Sequence, residues 1–339
     1  MKQTPRRAAD ISCGQYTIHG LRAEVTASHH DTLEAIHRRL RRFSAASSDP
    51  PRLRFDYRVV PDRDSHVVAP AEESSRLLMT AVVDGLPFDV TYSDTDDVLY
   101  VTCGDAIRGR VDGRHGAATV SVTREHATRI WLLSHPVLSV ALIEGLRRNG
   151  LYSLHAAAVS VGGAGLLVAS VSGAGKSTLA LALARAGLGF LGDDTVFLSV
   201  DGGRVRAFAF HDELDISPRT AAFFPEFDPL AHTAPPPGRH KHGVFIDDMC
   251  RIEFIDHCMP RVIVVPAIAN SPTSVLTEVR PEDVFVELVA NVLLTHPRVA
   301  QSHLDAIAAM LAQVRCYRLA TGRDFDAVAV RLRELLEAA

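Results

Sequence analysis

A glycine-rich segment between an apolar run and a helix-forming run constrains the fold of this chain more than any other feature. The segment reads Ser172-Gly173-Ala174-Gly175-Lys176-Ser177-Thr178 and follows the apolar run GLLVAS at positions 165–170. The run TLALALAR, which begins at position 178, has the composition of a buried helix. A strand, a tight loop and a helix in this order form the context that a phosphate-binding loop requires. The segment therefore predicts an α/β core with this loop at one edge of its sheet.

The residue types of this loop suit the phosphates of a nucleotide. Glycines let successive backbone N–H groups converge on phosphate oxygens, and the N-terminus of the following helix adds a partial positive charge. Lys176 would neutralise the β- and γ-phosphates, and the Ser177 hydroxyl would bind Mg²⁺. Ser170 stands where the G-x-x-x-x-G-K-[ST] pattern has its first glycine, so we expect an altered entry to the loop. The alternative is a glycine-rich turn with an incidental lysine.

Lysine is scarce in this chain. Of 36 basic residues only Lys2, Lys176 and Lys241 are lysine. Biased codon usage explains this in one interpretation. In the other, a lysine persists where the planar guanidinium of arginine cannot replace a compact ammonium.

Two adjacent carboxylates follow the next apolar run. Asp193 and Asp194 come directly after Gly192, at the end of a predicted strand. Ligands of open α/β sheets collect at the carboxyl ends of strands, so we expect both residues near the phosphate-binding loop. Phosphoryl transfer needs one carboxylate to accept a proton and another to hold Mg²⁺. Neighbouring strand residues point to opposite faces, so both reach one cavity only if the chain already turns there. An Asp-Asp turn without a catalytic role is the alternative.

Periodicity and turn signals predict two domains, residues 1–150 and 151–339. In the first, an α+β domain, we predict helices at 32–43 and 129–148, a tight turn at Asp84-Gly85, and strands at 53–60, 77–83, 88–92, 98–103 and 118–122. In the second, an α/β domain, we predict strands at 153–161, 165–170, 189–191, 195–200, 204–210 and 261–265. Its helices are expected at 177–186, 283–294, 299–313 and 325–336, with a loop at 231–243.

Composition excludes several classes of protein. The net charge of −4 arises from well-mixed charges, which gives no electrostatic reason to bind nucleic acid or a membrane. The uncharged stretch at 149–175 imitates a membrane span, but its glycines favour two buried strands. Five scattered cysteines suggest no disulfide framework, and no secretory signal is evident, so we expect a cytoplasmic protein. The spacing of the nearby ligand types fits no common zinc site; these are His240, His242, Cys250, His257 and Cys258.

Three runs of sequence together resemble the catalytic core of the HPr kinase/phosphorylase family. They are LHAAAV at 154–159, GLLVASVSGAGKST at 165–178 and FLGDDTVFL at 190–198. The family has a histidine-bearing strand, a phosphate loop and an Asp-Asp motif in this order, and the resemblance covers about half of the chain. It implies a P-loop core akin to phosphoenolpyruvate carboxykinase. It also implies transfer of a phosphoryl group from Mg-ATP to a serine of a protein.

The resemblance also assigns roles to residues. Asp193 would be the general base for the acceptor hydroxyl, and Asp194 a metal ligand or second carboxylate. His155 falls where the family has an active-site histidine, although a strand histidine bonded to a backbone carbonyl is an equal alternative. Asp215 would be a further metal ligand in Glu213-Leu214-Asp215-Ile216-Ser217-Pro218-Arg219. Lys241 is selected by the scarcity of lysine and not by the resemblance. It would reach the transferred phosphoryl group from its loop, unless that loop is merely a solvated basic one.

One departure from the family bears on the acceptor. The Arg-Gly of the family's signature segment is missing, which weakens HPr itself as the substrate. It favours diverged relatives that phosphorylate a terminal serine of a lasso-type peptide precursor, or that act on small hydroxyl compounds. We predict an Mg-ATP-dependent kinase of a serine or a similar hydroxyl of a peptide or protein, with the N-terminal half selecting the acceptor. An ATP-binding sensor without transfer is the rival, and the sequence leaves a homo-oligomer open.

Overall fold

The chain forms two compact units, the first ending at Asn149 and the second beginning at Gly150. This computed structural model describes residues 12–45, 49–72, 74–171, 173–236, 239–290, 292 and 294–338. Both units combine helices with a mixed sheet, so the chain is a mixed α/β protein.

The first unit contains an eight-stranded sheet. Its strands are β1 Ser12–Ile18, β2 Leu21–Ala27, β3 Leu53–Val60, β4 Arg76–Val83, β5 Leu86–Ser93, β6 Val98–Cys103, β7 Ile107–Asp112 and β8 Ala117–Thr123. They lie in the order β1-β2-β3-β8-β7-β6-β5-β4, with β3 parallel to both neighbours. The predicted turn joins β4 to β5, where Asp84 and Gly85 have φ of +51° and +75°. The sequence analysis missed β1, β2 and β7, in which polar residues interrupt any apolar run.

The helices of the first unit are α1 His30–Arg39, α2 Ile130–Leu132 and α3 Leu138–Arg147. The helix predicted over 129–148 is one helical stretch that is interrupted by a π turn at Leu133–Val137. Pro136 lies inside that turn, and since proline has no N–H to donate, the α-helical hydrogen-bond pattern cannot continue through it. The stretch Ile130–Arg147 is long and apolar enough to cross a membrane, but 72% of it is buried inside the protein. Burial of this extent is typical of a core helix.

The second unit contains a nine-stranded mixed sheet and a two-stranded sheet. Its strands are β9 Tyr152–Leu154, β10 Ala156–Val161, β11 Ala164–Ala169, β12 Gly189–Gly192, β13 Val196–Asp201, β14 Arg204–Phe208, β15 Leu214–Ile216, β16 His242–Val244, β17 His257–Ile268, β18 Val275–Val279 and β19 Arg315–Thr321. Its helices are α4 Lys176–Arg185, α5 Pro218–Ala221, α6 Asp228–Ala231, α7 Pro281–Ala290, α8 Pro297–Leu311 and α9 Phe325–Glu337.

Strand direction brings several chain segments to one edge of the large sheet. β11 and β19 both run parallel to β17, and β10 runs antiparallel to both β11 and β12. It follows that β11, β12, β17 and β19 all end at the same edge, where β10 begins. Backbone that leaves the carboxyl ends of such strands forms the usual ligand crevice of an α/β sheet.

Apolar layers on both faces hold this edge in place. Leu166 and Val168 of β11 pack with α4 and α9 on one face, whereas Leu167 and Ala169 pack with α7 and α8 on the other. A strand buried on both faces reads as a continuous apolar run, which is why β11 was evident in the sequence. Three leucines of α4 are fully buried, namely Leu179, Leu181 and Leu183. Each contributes on the order of 2 kcal/mol on burial, so the loop between β11 and α4 has two firmly anchored ends.

Two predicted segments of the second unit differ in the structure. The strand expected over 153–161 is broken at His155, because β9 pairs with β13 whereas β10 pairs with β11 and β12. The loop expected over 231–243 ends in β16, which pairs with β15. Local periodicity does not encode a change of pairing partner, so neither feature was visible in the sequence.

Candidate functional site

A cavity of about 560 Å³ lies at the edge where β11, β12, β17 and β19 end. Its volume is within the range of small-molecule sites in proteins. We call it the edge cavity. Its lining residues are His155, Gly173, Gly175, Lys176, Ser177, Thr178, Asp193, Asp194, Asp215, Ser217, Arg219, Thr220, Phe223, Lys241, Ile268, Ala269, Asn270, Thr321, Gly322, Arg323 and Phe325.

The glycines of the loop between β11 and α4 satisfy a backbone requirement. Gly173 and Gly175 have φ of +84° and +100°, a region that side chains with a Cβ seldom adopt. Gly175 immediately precedes α4, so the free N–H groups of the first helical turn lie beside the edge cavity. Ser170 has no positive φ, and it follows β11 directly. The backbone therefore needs no glycine at Ser170, which explains the departure from the sequence pattern.

Lys176 is a buried cation at the base of the loop, with 6% of its surface exposed. Its ammonium donates hydrogen bonds to the carbonyl oxygens of Ser170 at 2.8 Å and Val171 at 3.3 Å. Burial lowers the pKa of Lys176, although the charges of Asp193 and Asp194 act in the opposite direction. An ammonium has three N–H groups, so one remains for an anionic ligand in the cavity.

The chain turns sharply at the two aspartates, so both of them line the edge cavity. Asp194 has φ of +70°, and the N–H of Thr195 donates to the carbonyl oxygen of Asp193 at 2.8 Å. A three-residue turn with positive φ at its centre is rare and strained for a residue that has a Cβ. The two aspartates are therefore not held on opposite faces of a strand, because β12 ends at Gly192, before Asp193.

Asp193 and Asp194 have different environments. Asp193 is 5% exposed, and its Oδ1 atom has no hydrogen-bond partner in the described structure. Burial raises the pKa of Asp193, and the negative charge of Asp194 adds to this, while the nearby Ser177 hydroxyl opposes it. A buried carboxylate oxygen without a partner is costly, and such atoms are typical of sites that act on a ligand.

Asp194 projects into the edge cavity beside His155, with 68% of its side chain exposed. The ring Nδ1 of His155 lies 2.8 Å from the Asp194 carbonyl oxygen and 3.1 Å from its Oδ1. A carbonyl oxygen only accepts, so Nδ1 carries the proton in this arrangement. Burial would raise the pKa of Asp194, but the hydrogen bond and charge of His155, with Lys176 and Lys241, hold it below its usual value. His155 thus bonds a backbone carbonyl, as the alternative to a catalytic role expected, and it also lines the cavity.

Asp215 and Lys241 reach the edge cavity from the two-stranded sheet. Asp215 pairs with Gly243 across β15 and β16, and its Oδ1 accepts a hydrogen bond from Arg239 at 2.9 Å. Burial raises the pKa of Asp215, against the charges of Lys241 and Arg239. Lys241 directly precedes β16. Two of the three lysines in the chain therefore line this one cavity.

The structure brings most of the predicted site residues together. His155, Asp193, Asp194, Asp215 and Lys241 line the edge cavity with the loop residues Gly173, Gly175, Lys176, Ser177 and Thr178. Ala174 is not among its lining residues, and Ser172 lies outside the described residues. In the described part of the chain, no group of three or more His, Cys, Asp or Glu side chains is arranged to hold a metal ion.

Two arginines of the cavity wall were not selected by the sequence analysis. Arg219 belongs to α5, and Arg323 follows β19. Both line the edge cavity, and neither makes an ion pair within the described ranges. No sequence signal could have found Arg323, because β19 was not predicted and its pairing with β17 is what carries Arg323 to this edge.

Gly192, directly before the Asp-Asp turn, lies close to the backbone of Phe210. A Cβ at this residue would approach the backbone oxygen of Phe210 to 2.8 Å. We expect Gly192→Ala to destabilise the protein by about 1–3 kcal/mol, because backbone cannot move aside as a side chain can. Denaturant unfolding measures this change. Gly109→Ala is the matched control, since its Cβ would meet ordinary contacts of 3.5 Å or more. Equal stability of the two variants would contradict the prediction.

Comparisons with known proteins found little. No protein-family model matches the chain, and no curated protein matches it. Among solved structures, the HPr(Ser) kinase/phosphatase from Coxiella burnetii is 12% identical to this chain. The match covers 55% of this chain and 99% of that one, with a TM-score of 0.26. We treat this likeness as a distant structural relationship that carries no argument about activity.

Proposed function

We propose that this protein is an Mg-ATP-dependent kinase that transfers the γ-phosphoryl group to a serine or a similar hydroxyl. One observation carries the proposal. Lys176 and Ser177 from the phosphate-binding loop and the carboxylates of Asp193 and Asp194 line the same cavity at one sheet edge. Phosphoryl transfer requires these components in one place, a cradle for the phosphates and an acid–base group for the acceptor.

The residues present fit a nucleoside triphosphate. The N-terminus of α4, the ammonium of Lys176 and the two arginines Arg219 and Arg323 supply positive potential around the edge cavity. Helix N-termini and cations of this kind bind phosphate groups through backbone N–H groups and charge-assisted hydrogen bonds.

The donor set also fits Mg²⁺. The hydroxyl of Ser177 and the carboxylates of Asp194 and Asp215 are oxygen ligands. Mg²⁺ binds through one or two carboxylates, substrate phosphates and water rather than a cage of protein side chains. The metal, when bound, would neutralise charge that develops on the phosphoryl oxygens.

The chain's own residues divide the remaining work in this proposal. Asp193 accepts the proton of the acceptor hydroxyl, since its pKa is raised by burial and its Oδ1 is free of partners. Asp194 stays ionised beside His155 and serves as the second carboxylate. Lys241 adds a positive charge that acts on Asp194 and Asp215 across the cavity. Most of the rate enhancement would then come from positioning and charge neutralisation.

The acceptor that we propose is a serine of a peptide or protein, with the first unit helping to select it. A terminal serine of a modified precursor peptide is the specific candidate, by the sequence resemblance to diverged HPr kinases. Neither nucleic acid nor a membrane is a proposed partner. A cytoplasmic location belongs to the proposal as well, which leaves a homo-oligomer open.

Label transfer tests the activity directly. The full chain is incubated with Mg²⁺ and ATP labelled at the γ-phosphate, together with a panel of serine-bearing peptides, proteins and small hydroxyl compounds. We expect label on a hydroxyl of at least one class. Label that stays on the nucleotide across the panel, with ATP binding intact, would contradict the kinase and favour an ATP-binding sensor.

The two unpaired arginines give a further prediction. Arg219→Ala and Arg323→Ala should each weaken ATP binding about three- to tenfold, because each removes a cation from the lining of the cavity proposed to hold the nucleotide. The loss should shrink at high salt, since exposed charges are screened. Titration calorimetry at two salt concentrations measures both effects. Arg206→Ala is the matched control, because Arg206 is an exposed arginine of β14 outside the cavity. The prediction is wrong if all three variants bind ATP alike.

A further inference from the structure

The edge cavity contains an aromatic wall that phosphate binding does not use. Phe223 and Phe325 both line the cavity, with ring centroids 5.1 Å apart and planes at 68°. Phe223 is 39% exposed, which is unusual for an aromatic ring in a unit that buries most of its phenylalanines. We call Phe223 and Phe325 the aromatic pair. Exposed apolar surface inside a cavity is a common mark of a binding surface.

A buried phenylalanine next to Phe223 in the chain packs against the aromatic pair. Phe224 is 2% exposed and contacts the ring of Phe325, with centroids 6.1 Å apart. The Arg185 guanidinium lies 5.2 Å from the centroid of the Phe224 ring. Arg185 also pairs with Glu226 at 2.6 Å. Adjacent phenylalanines thus divide two roles, one filling the core and the other facing the cavity.

Hydrogen bonds connect the aromatic pair to the phosphate-binding loop. The hydroxyl of Thr178, in the first turn of α4, lies 3.0 Å from that of Thr220 in α5. Thr220 in turn lies 3.0 Å from the hydroxyl of Ser217, which caps α5 by accepting from the Thr220 N–H. Phe223 lies two residues after the end of α5, and its N–H donates to the carbonyl oxygen of Thr220 at 3.1 Å. A ligand held at the start of α4 therefore has a continuous cavity wall leading toward the aromatic pair.

The lining of the edge cavity contains both a charged cluster and large apolar side chains. Lys176 interacts electrostatically with Asp193, Asp194 and Lys241, and Lys241 with Asp215. Because the loop lysine contacts the β- and γ-phosphates in such sites, this charged cluster marks the end where phosphoryl transfer would occur. The aromatic pair and Ile268, which is 51% exposed, are the large apolar side chains of the lining. The other end of a nucleotide is its base, which is a flat aromatic ring.

We propose that the aromatic pair binds the nucleobase, with Phe223 as the residue that stacks on it. This inference rests on the proposed function, because it requires a nucleotide with its phosphates on the loop. Stacking on an aromatic side chain suits any base, since every base has a π face. The alternative occupant of the wall is an apolar side chain of the acceptor.

Comparison of two ligands tests the inference. Titration calorimetry on the full chain with Mg²⁺ measures binding of ATP and of inorganic tripolyphosphate, which has the phosphates but no base. In Phe223→Ala we expect ATP to bind about five- to 150-fold more weakly, the range of one lost stacking contact. Tripolyphosphate should bind within about twofold of the wild type. Phe223→Trp should restore the affinity for ATP, because it restores the ring.

Control variants and outcomes separate the possibilities. Val330→Ala removes an apolar side chain that is 57% exposed on α9 and does not line the edge cavity, so it should change neither affinity. Unchanged ATP affinity in Phe223→Ala would overturn the inference and leave the wall to the acceptor. Equal losses for both ligands would overturn it too, since the ring would then support the phosphate-binding loop. A wild-type chain that binds neither ligand would refute the proposed function itself.

Discussion

Replacement of Lys176 by alanine should lower the affinity for ATP at least about a hundredfold. The ammonium is buried, so the solvent screens its attraction for a phosphate only weakly. One charge-assisted hydrogen bond to a phosphate oxygen stabilises by about 1.5–3 kcal/mol, and together with the weakly screened attraction of the charge it accounts for a loss of that size. Titration calorimetry measures the affinity, and thermal unfolding of the same samples shows whether the variant remains folded.

Lys176→Arg is the matched control for charge. It keeps a cation at the site, but the guanidinium is planar and wider than an ammonium. The carbonyl oxygens of Ser170 and Val171 accept from one compact group at 2.8 and 3.3 Å, an arrangement that a planar fork does not reproduce. We therefore expect Lys176→Arg to bind ATP at least about tenfold more weakly than the wild type. Wild-type affinity in Lys176→Ala would show that the edge cavity is not the nucleotide site.

The sequence could predict the part of the site that is contiguous along the chain. β11, the loop and α4 follow one another directly, and their apolar runs are long because both faces of β11 are buried. Asp193 and Asp194 could be added because strands of an α/β sheet end at a common edge. Both predictions use rules that need only the order of elements.

The rest of the cavity depends on pairing between distant strands. Phe325 and Arg323 follow β19, whose residues 315–321 pair with 262–268 of β17. The sequence of β19 does not resemble a buried strand, because it contains Arg315 and Arg318. These two arginines pair with Glu278 and Glu287 at the surface. No local period encodes such a pairing. The aromatic pair and Arg323 could therefore not be assigned to the site before the fold was known.

The positive φ of Asp194 shows a different limit of sequence reasoning. Alternation along a strand would place the two aspartates on opposite faces unless the chain already turns there, and both line the cavity because it does. The turn that achieves this puts a residue with a Cβ at φ of +70°, which costs on the order of 1 kcal/mol. A sequence rule that assigns regular geometry fails where the backbone is strained, and such positions are common at functional sites.

Asp193→Asn should abolish phosphoryl transfer while ATP affinity stays within about threefold of the wild type. Asparagine has nearly the same shape as aspartate, so the buried turn keeps its packing, but it cannot accept a proton at neutral pH. Loss of a general base costs about 10²- to 10⁴-fold in rate. Removal of a negative charge beside the phosphates gives no reason for weaker binding of an anionic nucleotide. Single-turnover transfer of label and titration calorimetry measure the two quantities on the same preparation.

Asp194→Asn is the matched variant, because it makes the same substitution one residue along the turn. The Asp194 carboxylate is exposed in the cavity beside His155, where it is proposed to hold Mg²⁺. Its loss should therefore raise the Mg²⁺ concentration needed for half-maximal transfer about tenfold or more. Transfer at saturating Mg²⁺ should survive in Asp194→Asn and not in Asp193→Asn. The opposite result would exchange the roles of the two carboxylates. Full transfer in both variants would exclude the Asp-Asp turn from the chemistry. Asp215 would then be the remaining carboxylate among the described lining residues that could supply the base.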